Sequence, residues 1–163
     1  FSLEKGTLTF YTGGEVRLEL FTESSLTGEG WQELLEKAGF PMDNCRREEE
    51  GEQVVFFQGM PSGEELMECT LTCRTKGNGL VAEGRWLMDT QLRQVGEGAK
   101  SYQMAVSLRR LWREEGFSQP PESARESYRL RDQGNGNYLL FPVWQVEAGG
   151  KSFTVDTGEN PVE

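Results

Sequence analysis

Apolar and polar residues alternate at the start of the chain. Thr7-Leu8-Thr9-Phe10-Tyr11-Thr12 is followed by Gly13-Gly14 and then by Glu15-Val16-Arg17-Leu18-Glu19-Leu20-Phe21. A period of two interrupted by paired glycines predicts a β-hairpin, because glycine reaches the positive φ angles of a tight turn without steric cost. Val16, Leu18 and Leu20 fall on one face of it, and that face is expected to be buried. Between 28 and 39 the period changes: Trp31, Leu34, Leu35 and Ala38 recur at helical spacing until Gly39 and Pro41 stop the run. A helix with such a stripe should lie against a sheet.

Val54-Val55-Phe56-Phe57, the threonine-rich run Leu66 to Cys73, a Gly77-Asn78-Gly79 turn and Leu80 to Met88 read as an antiparallel meander. The polar, glycine-containing stretch 89 to 99 reads as a connector. A second helix is predicted over 100 to 115, with Tyr102, Ala105, Leu108, Leu111 and Trp112 at helical intervals and Gly116 ending it. Strands at 126 to 131, 138 to 146 and 152 to 155 follow, joined by turns at Gly134-Asn135-Gly136-Asn137 and Gly149-Gly150. Both halves thus run helix, then three-strand meander. Their helix exits are also worded alike, Glu36-Lys37-Ala38-Gly39-Phe40-Pro41 against Glu114-Glu115-Gly116-Phe117 with Pro120 beyond, which predicts a duplication. The expected fold is α+β, two helix-plus-antiparallel-β-meander repeats, with an N-terminal subdomain at 1–90 and a C-terminal one at 91–163.

At 163 residues the chain is long enough to bury a self-sufficient core. The longest apolar run, Tyr138 to Trp144, is far short of the roughly 20 residues a membrane-spanning helix needs. The chain opens on Phe1 without an initiator Met or a signal-type run, as expected of a mature fragment whose leader or anchor has been removed. A net charge of −10 and a pI near 4.7 argue against nucleic acid, whose phosphates call for clustered cations. Arg109, Arg110 and Arg113 do cluster, but they share a predicted helix with Glu114 and Glu115 and read as a solvated face. Cys45, Cys69 and Cys73 are too few for a disulfide scaffold and have no CxxC spacing. On one strand Cys69 and Cys73 would stand about 13 Å apart, too far to bond, at ~3.3 Å per residue. That leaves three reduced thiols, or a single bridge from Cys45.

With no histidine in the chain, Ser-His-Asp and Cys-His catalysis and His-based zinc sites are excluded. Gly77-Asn78-Gly79 and Gly134-Asn135-Gly136 lack the third glycine and the following helix of a dinucleotide loop. Glu48-Glu49-Glu50 with Glu52 has no calcium-loop spacing and reads as a solvated loop. Asp156-Thr157-Gly158 has the wording of an aspartic-protease turn, but only five residues follow it, and such a site needs a second carboxylate to share the proton. Trp31, Trp86, Trp112 and Trp144 read as core residues. No catalytic, cofactor-binding or metal-ligating residue is expected, and the chain is expected to act by docking rather than by turnover.

Three segments, Ala105 to Trp112, the strand Leu140-Phe141-Pro142-Val143-Trp144-Gln145-Val146, and Gly150-Lys151-Ser152-Phe153-Thr154-Val155-Asp156-Thr157-Gly158, carry a family likeness. Residues from about 100 to 158 resemble the C-terminal part of the YycH/YycI family, membrane-anchored extracytoplasmic regulators of a two-component system in Gram-positive bacteria. The wording that resembles it most is Pro142, Trp144 and Val146 on one strand, then Phe153, Val155, Asp156 and Gly158. The same stretch is similar to the PepSY module. The resemblance implies PepSY-like repeats, a location outside the cytoplasmic membrane, and tethering through an anchor preceding Phe1. It also implies a sensor kinase ectodomain or a sister regulator as partner, with self-association left open and no cofactor. A PepSY-type module that inhibits or chaperones a secreted protease is the alternative.

Overall fold

The structure, a computed structural model, describes residues 3–11, 13–22, 30–88, 101–134 and 137–156. It is mostly β, with nine strands and two helices among those residues. The chain divides into two compact units, Phe1–Gln91 and Leu92–Glu163.

The first unit holds strands β1 (Leu3–Phe10), β2 (Glu15–Thr22), β3 (Cys45–Glu50), β4 (Gln53–Gly59), β5 (Glu65–Lys76) and β6 (Gly79–Arg85), and the helix α1 (Trp31–Lys37). All neighbours in this unit are antiparallel, and the pairing runs β1 to β2 to β6 to β5 to β4 to β3. The predicted hairpin forms: Gly13 and Gly14 take φ of 116° and 82°, and the Tyr11 amide donates to the Glu15 carbonyl at 2.9 Å. Val16, Leu18 and Leu20 point into one apolar cluster with Phe56, Leu71, Cys73, Leu80 and Ala82. The helix closes that face with Trp31, Leu34 and Leu35. The opposite face carries an ion-pair network, the one-side-wet arrangement that antiparallel sheets permit.

Local chemistry sets where α1 stops. Gly39 has φ of +93°, its amide donates to the Glu36 carbonyl at 2.9 Å, and the Phe40 amide donates to the Leu35 carbonyl at 3.0 Å. That is a Schellman end, and the buried Phe40 ring supplies its apolar contact. Gln58, buried in β4, holds the chain after β6 by a matched pair of bonds, donating to the Leu87 carbonyl and accepting from the Leu87 amide, both at 2.9 Å. The Trp86 indole N–H donates to the Pro41 carbonyl at 3.2 Å.

The second unit holds α2 (Ser101–Glu115), β7 (Ser123–Gly134), β8 (Asn137–Ala148) and β9 (Lys151–Asp156), an antiparallel meander with β8 in the middle. After α2, Gly116 at φ +70° turns the chain so that Phe117 stacks between Trp112, 5.3 Å away, and Phe153, 5.5 Å away and edge-on. A Trp112 N–H bond to the Gln119 carbonyl at 2.6 Å and a Lys151–Glu115 ion pair at 3.7 Å fix the same corner.

The expected pair of helix-plus-meander repeats is therefore overturned. The first unit is a six-stranded sheet with a seven-residue helix, not a helix followed by three strands. The strand that breaks the pattern is β3, Cys-Arg-Arg-Glu-Glu-Glu, expected as a solvated acidic loop. Its backbone pairs with β4 from Cys45 to Glu50, and its side chains neutralise one another and their neighbours. Arg46 meets Glu65 at 2.9 Å and Glu48, Arg47 meets Glu49 at 2.5 Å, and the Arg46 guanidinium lies 3.9 Å above the Phe57 ring. Charge on a strand with one neighbour deters further pairing. The shared exit wording has a local cause as well: Gly-Phe ends both helices because each needs a positive-φ residue and then an apolar one. The expected connector at 89 to 99, and Asn135 and Gly136 of the last predicted turn but one, lie outside the described residues. Among those described, no helix is long and apolar enough to cross a membrane.

Candidate functional site

The residues singled out for their family wording gather on the β8–β9 hairpin and serve packing. Register places Trp144 between Glu126 and Val155, Val146 between Ala124 and Phe153, and Pro142 opposite Tyr128. Partners across an antiparallel ladder share a face, so Pro142, Trp144, Val146, Phe153 and Val155 stand on the side where Phe117 packs. Val146 and Val155 are buried there. Pro142 falls just where the described pairing with β9 has ended at Val143–Asp156, so its missing N–H costs no bond on that side. Asp156 is on the other face and ion-pairs with Arg129 at 3.2 Å. Gly158 lies outside the described residues.

Other sequence candidates settle as follows. Arg109, Arg110 and Arg113 are exposed, with Arg110 paired to Glu114 at 2.8 Å one helical turn on. Trp31 and Trp86 belong to the core of the first unit, and Trp112 and Trp144 are half-buried. All three cysteines are free thiols: Cys69 and Cys73 fully buried, Cys45 half-buried beside the core. Burial pushes the Cys69 and Cys73 thiols up to about 12, and pushes Cys45 up as well. Thiols so raised are poor nucleophiles. With the native pKa above the unfolded one, the folded state keeps its protons longer. These two thiols therefore leave stability unchanged below about pH 8.5 and erode it as pH climbs from there towards 12. At pH 8 one thiol, Cys45, should react with Ellman's reagent in the native protein. A pKa of about 12 leaves Cys69 and Cys73 with about a thousandfold less thiolate than an ordinary cysteine, so they should react only in denaturant. Three equivalents titrated without denaturant would show that the β5 face is open.

Features that sequence reading did not single out lie on the β1–β2 hairpin. Leu8 and Phe10 face Leu18 and Val16 across the ladder and so share the core-directed face, yet both are exposed. Phe10 is 59% exposed, Tyr11 48% and Phe21, on the opposite face, 50%. Among the described strands of this unit β1 pairs with β2 alone, leaving its outer row of N–H and C=O groups unpaired. The alternation of Leu8 and Phe10 was legible. That the sheet stops at β1 was not.

Beside the hairpin turn a concavity of about 390 Å³ is lined by Tyr11, Glu15, Arg17, Glu68, Glu83 and Arg85. Glu15 and Arg85 are direct partners across β2 and β6, as are Arg17 and Glu83. Arg17 is held by Glu19 at 2.5 Å and by Glu83, and Glu83 also takes Arg74 at 3.1 Å. Hydrogen bonding to Glu19 raises the Arg17 pKa further, and hydrogen bonding to Arg17 lowers that of Glu19. Arg85 is different: its Nε–H is buried and has no acceptor among the described residues. Compared with protein-family models and with curated proteins, the chain gives no match.

Proposed function

We propose that this chain is a docking domain that acts by binding another protein. Following the resemblance of its second unit, its role is extracytoplasmic regulation of a membrane sensor histidine kinase, with tethering through a segment preceding Phe1. The observation that supports docking is the open edge of β1 with Leu8, Phe10, Tyr11 and Phe21 exposed around it. An extended segment of a partner can add to such an edge, its backbone completing the ladder while its side chains cover Leu8 and Phe10. A regulator of this kind needs only to bind one kinase state more tightly than the other.

The test is crosslinking capture of the full-length protein from its native cells, with wild type and Phe10→Asp compared by mass spectrometry. Phe10 is exposed, so the substitution should shift folding stability by no more than about 0.5 kcal/mol. Recovery of a sensor kinase with wild type, reduced about tenfold or more with Phe10→Asp, is the expected result for an anchor aromatic. A secreted protease recovered in place of a kinase would sink the kinase reading in favour of the protease-binding alternative. Equal recovery with both proteins would remove the β1 edge from the interaction.

A further inference from the structure

Among the described strands of the first unit, β3 and β1 each pair with a single neighbour, and they meet solvent differently. β3 is charged at every position from Arg46 to Glu50, whereas β1 has neither a charge nor a proline from Gly6 to Phe10. Charge, proline and bulges are the usual guards against edge pairing, and this part of β1 lacks all three. Register shows which backbone groups it offers. The Tyr11 amide donates to the Glu15 carbonyl, so Tyr11 turns its N–H and C=O towards β2. Pairing with β2 continues without a shift from Phe10 back to Lys5. Thr9 and Thr7 therefore turn inward as Tyr11 does, and Phe10, Leu8 and Gly6 turn their N–H and C=O outward. Gly6 leaves a gap beside Leu8 and Phe10 on their face, over which Leu20 leans: its Cδ2 lies 2.6 Å from where a Cβ would stand.

We infer that β1 pairs with β1 of a second copy of this chain, antiparallel across a two-fold axis at Leu8. The inference rests on the β1 edge being the docking surface and names what occupies it when no other partner does. With Leu8 opposite Leu8, Gly6 of each copy stands opposite Phe10 of the other, and every outward N–H and C=O from Gly6 to Phe10 is paired. An isologous contact demands such self-complementarity. The Phe10 ring then covers the gap at Gly6 and lies against Leu20, while Thr7 meets Thr9 on the other face, a favourable cross-strand pair. Sliding the second copy by two residues sets Phe10 opposite Glu4 in one direction and Gly6 beyond the end of the other β1 in the other. Charge agrees with the axis at Leu8. Lys5, the one basic residue of β1, comes opposite Tyr11, which walls a concavity holding the carboxylates of Glu15, Glu68 and Glu83 against the guanidiniums of Arg17 and Arg85. A positive residue thus meets a net negative rim at each end of the seam. A partner's strand needs the same row of backbone groups, so self-pairing and docking exclude each other.

Sedimentation equilibrium of the purified chain reads the dimer. A seam of one short strand lies at the small end of interfaces, so a dissociation constant of about 10–100 μM is expected. Phe10→Asp should weaken it about tenfold or more. Leu8→Pro removes an N–H that points outward and spares the β1–β2 ladder, so it should give a monomer whose tryptophan fluorescence is unchanged. In a Cys45→Ser background, Leu8→Cys should crosslink on mild oxidation, because Cα atoms opposed at the axis stand about 5.5 Å apart. Thr9→Cys, which faces Thr7, should not. A wild-type chain still monomeric at about 500 μM, a dimer indifferent to Leu8→Pro, or crosslinking at Thr9 in place of Leu8 overturns the inference. Self-pairing and docking fail separately. A monomer that still loses kinase capture on Phe10→Asp would sink the dimer alone, and a dimer broken by Phe10→Asp with capture undiminished would uphold self-pairing and move docking elsewhere.

Discussion

Phe56→Ala should cost the first unit about 3–5 kcal/mol, a large share of the roughly 5–15 kcal/mol that holds a typical domain together. Phe56 is fully buried in the middle of β4, directly paired with the equally buried Leu71 of β5, and joins the same cluster as Leu34 and Leu35 of α1. Truncation removes the apolar contact of a whole ring and leaves a cavity that two strands and a helix, each pinned by its own neighbours, cannot collapse to fill. In urea the transition should move down by about 2 M, taking a slope of about 2 kcal/mol per molar. The probe is the fluorescence of Trp31 and Trp86, which are buried in that cluster. Phe10→Ala is the control: the same chemical change at a 59% exposed ring should move the midpoint by about 0.25 M or less. Similar shifts for the two variants would mean that the core is not centred on β4.

That contrast also marks where sequence reading holds. The alternation of Val16, Leu18 and Leu20, the glycine pair after β1, the stripe of Trp31, Leu34 and Leu35, and the run Val54 to Phe57 all report local periodicity, and each forms the element it predicts. β3 was illegible because nothing in Arg46-Arg47-Glu48-Glu49-Glu50 prefers a strand. The strand exists because β4 offers it a ladder and because Arg46 and Arg47 each reach a glutamate two residues on, on the same face of the strand. Once β3 is present the two halves no longer match, and the inferred duplication reduces to a shared way of ending a helix. The family wording around Pro142 and Trp144 likewise resolves into cross-strand packing, a role any β-hairpin requires. The orphaned donor on Arg85 depends on which side chains stand opposite it in β2 and on which of those are already engaged. That is long-range register, invisible in any local window.

Register gives Gly84 the second large prediction. It lies between Val16 of β2 and Leu71 of β5, with φ of +151°. A Cβ placed on it would stand 2.0 Å from the Thr70 carbonyl oxygen and 3.0 Å from the Thr70 carbonyl carbon. Both are backbone atoms of the neighbouring strand, so no rotamer change can clear the space. Gly84→Ala must force β6 away from β5 or twist the residue out of its φ, and either movement breaks ladder bonds beside the fully buried Leu71. The expected loss is about 3 kcal/mol or more, since a strained backbone and broken strand pairing combine. Gly77→Ala separates strain from crowding. Gly77 also has a positive φ, +61°, but nothing lies within 4 Å of its would-be Cβ, so about 1–2 kcal/mol is expected there. Thermal melts of the two variants against wild type decide the matter: equal losses would assign both to φ alone. A larger loss at Gly84 would establish that β5 and β6 touch through a bare backbone.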